Sequence, residues 1–167
     1  MDHTSHIDTP LGTVLLSSDG DALTGLWFEG QKFFGSTLSD EHIEQHVPVL
    51  EQTELWLRQY FSGKEPDFTP PLSPAGTPFQ KTVWDLLLTI PYGHIVTYGD
   101  IAAEIAKERG VEHFSSQAVG NAVARNPISI IIPCHRVIGA DGTFTGYAGG
   151  LERKKKLLSI EGSLLNM

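Results

Sequence analysis

One cysteine occurs in the chain, Cys134, and it sits in Pro133-Cys134-His135-Arg136 directly after the apolar residues 130–132. A free thiol, with a pKa of about 8.5, is only a few per cent thiolate at neutral pH, so a nucleophilic cysteine needs a base or an electropositive setting. His135 and Arg136 are placed to supply one. The chemistry suggested is nucleophilic attack by sulfur, with a polar group delivered out of a strand-like apolar run. The competing reading is a buried, inert cysteine beside a surface histidine. A single cysteine also rules out an internal disulfide framework or a multi-cysteine metal centre, and suits a reducing, cytoplasmic compartment. His42 and His46 lie four apart and would share a face of a helix, but no third ligand at a recognisable spacing accompanies them, so no metal site is expected. His3 and His6 are expected in a mobile terminus. No phosphate-binding glycine loop or dinucleotide fingerprint is present.

The elements that must position this segment follow from punctuation and periodicity. Five of the ten prolines (Pro66, Pro70, Pro71, Pro74 and Pro78) fall within residues 65–79, which reads as a semi-rigid linker. Two domains are therefore expected, 1–75 and 76–167. In the first, residues 6–16 and 23–29 surround turn signals at 9–12 and 19–21, predicting a small antiparallel sheet. A helix then starts near Pro48, with Val49, Thr53, Trp56 and Tyr60 on one face, and stops at Gly63. In the second, Thr77-Pro78-Phe79-Gln80 is a capping-box start for a helix whose stripe is Phe79, Val83, Leu86, Leu87 and Ile90. Thr97 with Asp100 opens another helix, ending near Arg109-Gly110, and Ser115 or Ser116 opens a third that Asn126-Pro127 breaks. Two short helices joined by a turn, the second rich in small residues, fit either a helix-turn-helix or two close-packed core helices. The fold class expected is α+β, a small sheet-plus-helix domain followed by a mainly helical, winged helix-turn-helix-like one.

The chain has 167 residues and a net charge of -8, which at first sight disfavours a nucleic-acid partner. The acidity is local. Residues 1–75 carry 3 basic and 12 acidic side chains, whereas residues 76–167 carry 9 and 8. Arg125, Arg136 and the run Arg153, Lys154, Lys155, Lys156 make either a basic face on the second half or a solvated helix surface. Apolar runs are far too short for a membrane span and the start lacks a signal peptide's regions, so neither insertion nor secretion is expected.

Residues 132–137, Ile-Pro-Cys-His-Arg-Val, resemble the active-site signature of the O6-alkylguanine-DNA alkyltransferases, the methylated-DNA-protein-cysteine methyltransferases. Residues 97–102, 118–122, 125–127, 146–151 and 156–162 resemble further motifs of that family, in order, across essentially the whole second half. The resemblance implies a suicide, stoichiometric enzyme of DNA repair: a methyl or other alkyl group leaves O6 of a flipped guanine and stays on Cys134. It also implies a catalytic set in which His135 takes the thiol proton through a water, Glu161 orients His135, Asn126 ties the network to the recognition helix, and Tyr98 donates to the departing guanine. Val137, Tyr147, Ala148 and Val123 would form the base pocket; Ser116, Gln117, Ala118, Gly120 and Arg136 would meet the DNA, with a minor-groove approach favoured by the small residues.

No cofactor and no metal are implied. The partner that the resemblance implies is double-stranded DNA containing O6-alkylguanine, bound by a monomer, with cooperative assembly on DNA left open. One position departs from the family pattern: Gln117 stands where an arginine normally fills the space of the flipped base. The alternatives are a non-catalytic lesion sensor that recruits other repair factors, a thiol hydrolase using the same Cys-His pair, and a helix-turn-helix regulator.

Overall fold

The computed structural model describes residues 1–142 and 146–163, which form two compact units. The first comprises residues 1–75 together with 127–131, and the second residues 76–126 together with those from 132 onward.

The first unit is built on β1 (Asp2–Thr9), β2 (Gly12–Ser18), β3 (Leu23–Phe28) and β4 (His42–Glu44), in the order β3-β2-β1-β4. β1, β2 and β3 are joined antiparallel by the two expected turns. In the first turn the Thr9 hydroxyl donates to the Gly12 carbonyl at 2.6 Å; in the second the Asp19 carboxylate accepts from the Asp21 and Ala22 amides at 2.9 Å each. Asp19 is consequently more acidic than usual. Helix α1 (Pro48–Phe61) lies against β1, β2 and β3 and buries Val49, Leu50, Thr53, Trp56, Leu57 and Tyr60, with the Trp56 and Tyr60 rings stacked 5.3 Å apart.

Three features of this unit differ from the sequence reading. His3 and His6 do not belong to a loose terminus: both lie within β1, and His6 Nδ1 is 3.6 Å from a Glu44 carboxylate oxygen. His42 is in β4, parallel to β1, and His46 follows that strand, so the pair shares no helix face. The proline-rich stretch is in part an addition to the sheet, because Leu23 donates its amide to Pro71 and accepts from Ser73, both at 2.8 Å. The same strand edge takes Ile128, with Leu26 bonded to Pro127 and Ser129.

The second unit holds α2 (Pro78–Leu87), β5 (Val96–Thr97), α3 (Tyr98–Arg109), α4 (Ser116–Ala124), β6 (Val137–Ile138) and α5 (Leu151–Ile160). β5 and β6 pair in parallel as a two-stranded ribbon. Thr77 and Thr97 both make complete capping boxes, with Gln80 and Asp100, and Ser115 caps α4 through the Ala118 amide. Each such cap contributes about 1 kcal/mol and sets where a helix begins. Gly110, at φ 67, ends α3 in the left-handed conformation that glycine adopts without penalty. The buried residues of this unit include Val83, Trp84 and Leu87 of α2, Ile101 and Ile105 of α3, Val119 and Val123 of α4, and Leu157 and Leu158 of α5, with α4 packed against both α2 and α3. Trp84, unassigned by the α2 stripe, is buried and donates its indole N–H to the Ala122 carbonyl at 2.9 Å, tying α2 to α4. No helix among the described residues is long and apolar enough to cross a membrane.

Candidate functional site

The apolar run before Cys134 is not a strand beyond the single bridge at Ile128. Ile130 has φ 70, and the Ile131 amide bonds the Ser129 carbonyl at 2.8 Å across it, which is a γ-turn. A β-branched residue at positive φ stores strain on the order of 1–3 kcal/mol, and Ile130 is held there by burial. A second such turn, of the relaxed hand, is centred on Pro133 (φ -81, ψ 64), where the Cys134 amide bonds the Ile132 carbonyl at 2.8 Å. Residues Cys134–Arg136 then form one turn of 3₁₀ helix that runs directly into β6. Alternating turn hands cannot be read from an Ile-rich run, which is why the strand reading failed.

This turn points three consecutive polar side chains into the protein. Cys134 is 5% exposed, His135 fully buried and Arg136 9% exposed. His135 Nε2 lies 2.6 Å from Oε2 of Glu161, the residue that caps the C-terminal end of α5. Arg136 also grips Glu161, with Nε donating to Oε1 at 2.7 Å and Nη2 to Oε2 at 3.2 Å. Its Nη1 donates to the Ile90 carbonyl at 2.7 Å, and the Tyr92 ring lies 5.7 Å from the guanidinium carbon. Burial raises the Glu161 pKa, but the hydrogen bonds from His135 and Arg136 and the Arg136 charge outweigh it and hold the carboxyl at about 2. An ionised carboxylate can only accept, so the His135 proton sits on Nε2. Nδ1 is then the basic nitrogen, and it is buried with no hydrogen-bond partner among the described residues. Burial lowers the His135 pKa even though Glu161 pulls it upward. A second proton would be a charge held out of water, and the nearby Arg136 and Lys154 charges add a smaller repulsion.

Burial likewise pushes the Cys134 thiol up, against a hydrogen bond from Asn126 and the charge of Lys154. Asn126 is buried and its Nδ2 also donates to the Ile132 carbonyl at 2.8 Å, linking the end of α4 to the turn that carries the sulfur. Lys154, outside the expected site residues, reaches the same centre. It is 0% exposed, donates to the Val137 carbonyl at 2.5 Å, and has its pKa lowered to about 8 by burial, with the Cys134 charge acting in the opposite direction. The basic run reads from sequence as either a basic face or a solvated helix surface, yet Lys154, Leu157 and Leu158 are spaced i, i+3, i+4 and share the buried face of α5.

Around this centre, Tyr98 is the first residue of α3 and half-buried; burial, and secondarily the Cys134 charge, push its hydroxyl up to about 12, so it remains a donor. Its oxygen lies 2.9 Å from where a Cβ on Gly146 (φ 79) would stand. Tyr147 is buried and meets His135 edge-on, ring centroids 6.5 Å apart. Val137 and Val123 are buried and Ala148 is half-buried. On α4, Ser116 and Gln117 are exposed in the first turn, Ala118 and Gly120 are half-buried, and a Cβ on Gly120 would lie 3.8 Å from the Tyr98 ring. One assignment is corrected. Arg136 was expected to meet DNA phosphates, but its guanidinium is committed to Glu161 and Ile90 inside the protein.

Two family models match in tandem: 6-O-methylguanine DNA methyltransferase, ribonuclease-like domain, over residues 3–74, and the DNA binding domain of the same family over residues 78–163. A methylated-DNA--protein-cysteine methyltransferase of Methanosarcina acetivorans is 43% identical over 157 residues, covering 93% of this chain and 96% of that protein. Its counterpart from Haemophilus influenzae is 40% identical over 158 residues, covering 94% and 84%. Among solved structures, Mycobacterium tuberculosis OGT in complex with DNA is 41% identical and superposes with a TM-score of 0.83 over 96% of this chain and 93% of that one. The chain belongs to the 6-O-methylguanine DNA methyltransferase family.

Proposed function

We propose that this protein repairs DNA by moving the alkyl group of an O6-alkylguanine, in the first instance a methyl group, onto its own Cys134. The observation that carries the reading is the buried series Cys134, His135, Glu161, in which ionised Glu161 holds the proton of His135 on Nε2 and leaves Nδ1 as the only basic nitrogen. The thiol proton passes to Nδ1 through a water, and the sulfur attacks the alkyl carbon. The new S–C bond forms as the C–O6 bond breaks, and the guanine takes up the electron pair. Tyr98, kept protonated by its raised pKa, donates a hydrogen bond to the ring as that charge develops, and the thiol proton taken up at Nδ1 of His135 passes back through water to the guanine, which leaves neutral. A thioether does not hydrolyse, so each molecule acts once.

Asn126 positions Cys134 from the end of α4, and Lys154 stabilises the thiolate as it forms, in a setting where burial disfavours it. The target oxygen of a paired base cannot reach a buried sulfur, so the nucleotide rotates out of the stack, at a cost of a few kcal/mol. Tyr147, Val137, Ala148 and Val123 wall the pocket that receives it, and the exposed first turn of α4, with Ser116 and Gln117, faces the duplex. Gln117 hydrogen-bonds the orphaned cytosine with a shorter, uncharged side chain. A free, unpaired thiol suits the cytoplasm, where we place the protein.

The test is transfer of a labelled methyl group from a duplex containing one O6-methylguanine. Label should become protein-bound in the native chain and not in Cys134→Ser; label bound equally by Cys134→Ser would refute the assignment.

A further inference from the structure

We infer that Arg109, through Phe114 and Phe79, is a positioning residue for the DNA-facing end of α4, a role that rests on the alkyl-transfer reading above. Arg109 is the last residue of α3, and its guanidinium carbon lies 5.6 Å from the Phe79 ring centroid and 5.0 Å from that of Phe114. The two rings are themselves 5.4 Å apart, tilted by 35°. The three side chains form one closed clamp, drawing together the start of α2, the end of α3 and the residue preceding the Ser115 cap of α4.

What the clamp holds follows from how α4 is otherwise secured. Its second half is anchored by buried Val119, Ala122 and Val123 and by the bond from Trp84 to the Ala122 carbonyl. In the first turn Ser116 and Gln117 are exposed and Ala118 is half-buried, so no fully buried side chain precedes Val119. These anchors are confined to the second half, so they leave the first turn to tilt against α2. The clamp is a second attachment to the same helix, through Phe79, and two separated attachments define a direction. Arg109 suits this use better than an apolar residue because a planar cation attracts the faces of two rings while remaining exposed to water. The first turn of α4 matters only for a substrate held in a duplex; a free base needs the Cys134 pocket alone.

The experiment therefore compares methyl transfer from a duplex with one O6-methylguanine and from free O6-methylguanine base, in the full chain and in Arg109→Leu, Arg109→Lys and Phe114→Leu. Arg109→Leu and Phe114→Leu should each slow duplex transfer by roughly fivefold while leaving free-base transfer unchanged, and Arg109→Lys should recover only part of the loss because an ammonium lacks the planar fork. The dependence of duplex affinity on salt should keep its slope, since no phosphate contact is removed. Parallel loss with both substrates, or no loss with either, would overturn the inference. So would a shallower salt slope in Arg109→Leu with Phe114→Leu unaffected, which would make Arg109 a phosphate contact. A native chain that takes methyl from neither substrate would instead refute the alkyl-transfer reading itself.

Discussion

His135 and Arg136, adjacent in the chain, bind the same carboxylate: Nε2 of one and Nη2 of the other lie 2.6 and 3.2 Å from Oε2 of Glu161, and Nε of Arg136 lies 2.7 Å from Oε1. One buried acid thus selects the tautomer of the base and balances a buried cation. Removing it disturbs both.

Glu161→Gln keeps an oxygen for His135 but leaves Arg136 as an unpaired buried charge. Stability should fall by about 3 kcal/mol, and transfer should slow by at least about tenfold. Urea unfolding and single-turnover transfer measure the two losses. A variant as stable as the native chain would show that the pair is not energetically coupled.

Because the Glu161 pKa is about 2 in the folded protein against 4.5 ordinarily, its contribution to stability is fully present above about pH 4.5 and is lost as pH falls toward 2. Lys154 has the opposite consequence. Its folded pKa, about 8, lies below the usual 10.5, so its burial costs stability at neutral pH, and that cost is relieved as pH rises from about 8 to 10.5. The stability of the native chain relative to Lys154→Met should therefore rise over that alkaline window, while Lys154→Met transfers more slowly at pH 7. Unfolding midpoints measured from pH 7 to 11 check the sign; a difference that stays constant contradicts it.

Arg136→Ala should lower stability and transfer but leave the salt dependence of DNA binding unchanged, since the guanidinium faces Glu161 and Ile90 and not solvent. A titration of duplex affinity against salt decides this. A slope reduced by about one would restore Arg136 as a phosphate contact.

Gly146→Ala places a methyl 2.9 Å from the Tyr98 hydroxyl at φ 79. We expect a loss of about 1–3 kcal/mol and slowed transfer. Tyr98→Phe removes the nearer atom, so the double variant should recover the steric part of the stability loss but not the transfer rate. Strict additivity of the two stability changes would deny the contact.

Helix starts were legible because their signals are local: Thr77 with Gln80, Thr97 with Asp100 and Ser115 act within four residues of themselves. β4 was not, since three exposed residues carry no alternation and gain strand geometry only by pairing with β1. The Cys-His-Arg segment announced its chemistry, yet the division of labour within it did not show. Arg136 and Lys154 looked like surface cations because nothing in their neighbours reveals Glu161, twenty-five residues on, or the Val137 carbonyl. The i, i+3, i+4 relation of Lys154 to Leu157 and Leu158 was the one available signal.

The most direct measurement is the intact mass and peptide map of the protein after incubation with a duplex carrying a single O6-methylguanine. The account predicts a protein heavier by one methylene, modified on Cys134, and permanently inactive. An unmodified protein retained on the lesion would contradict it and leave Cys134, His135 and Glu161 as parts of a binding site without transfer.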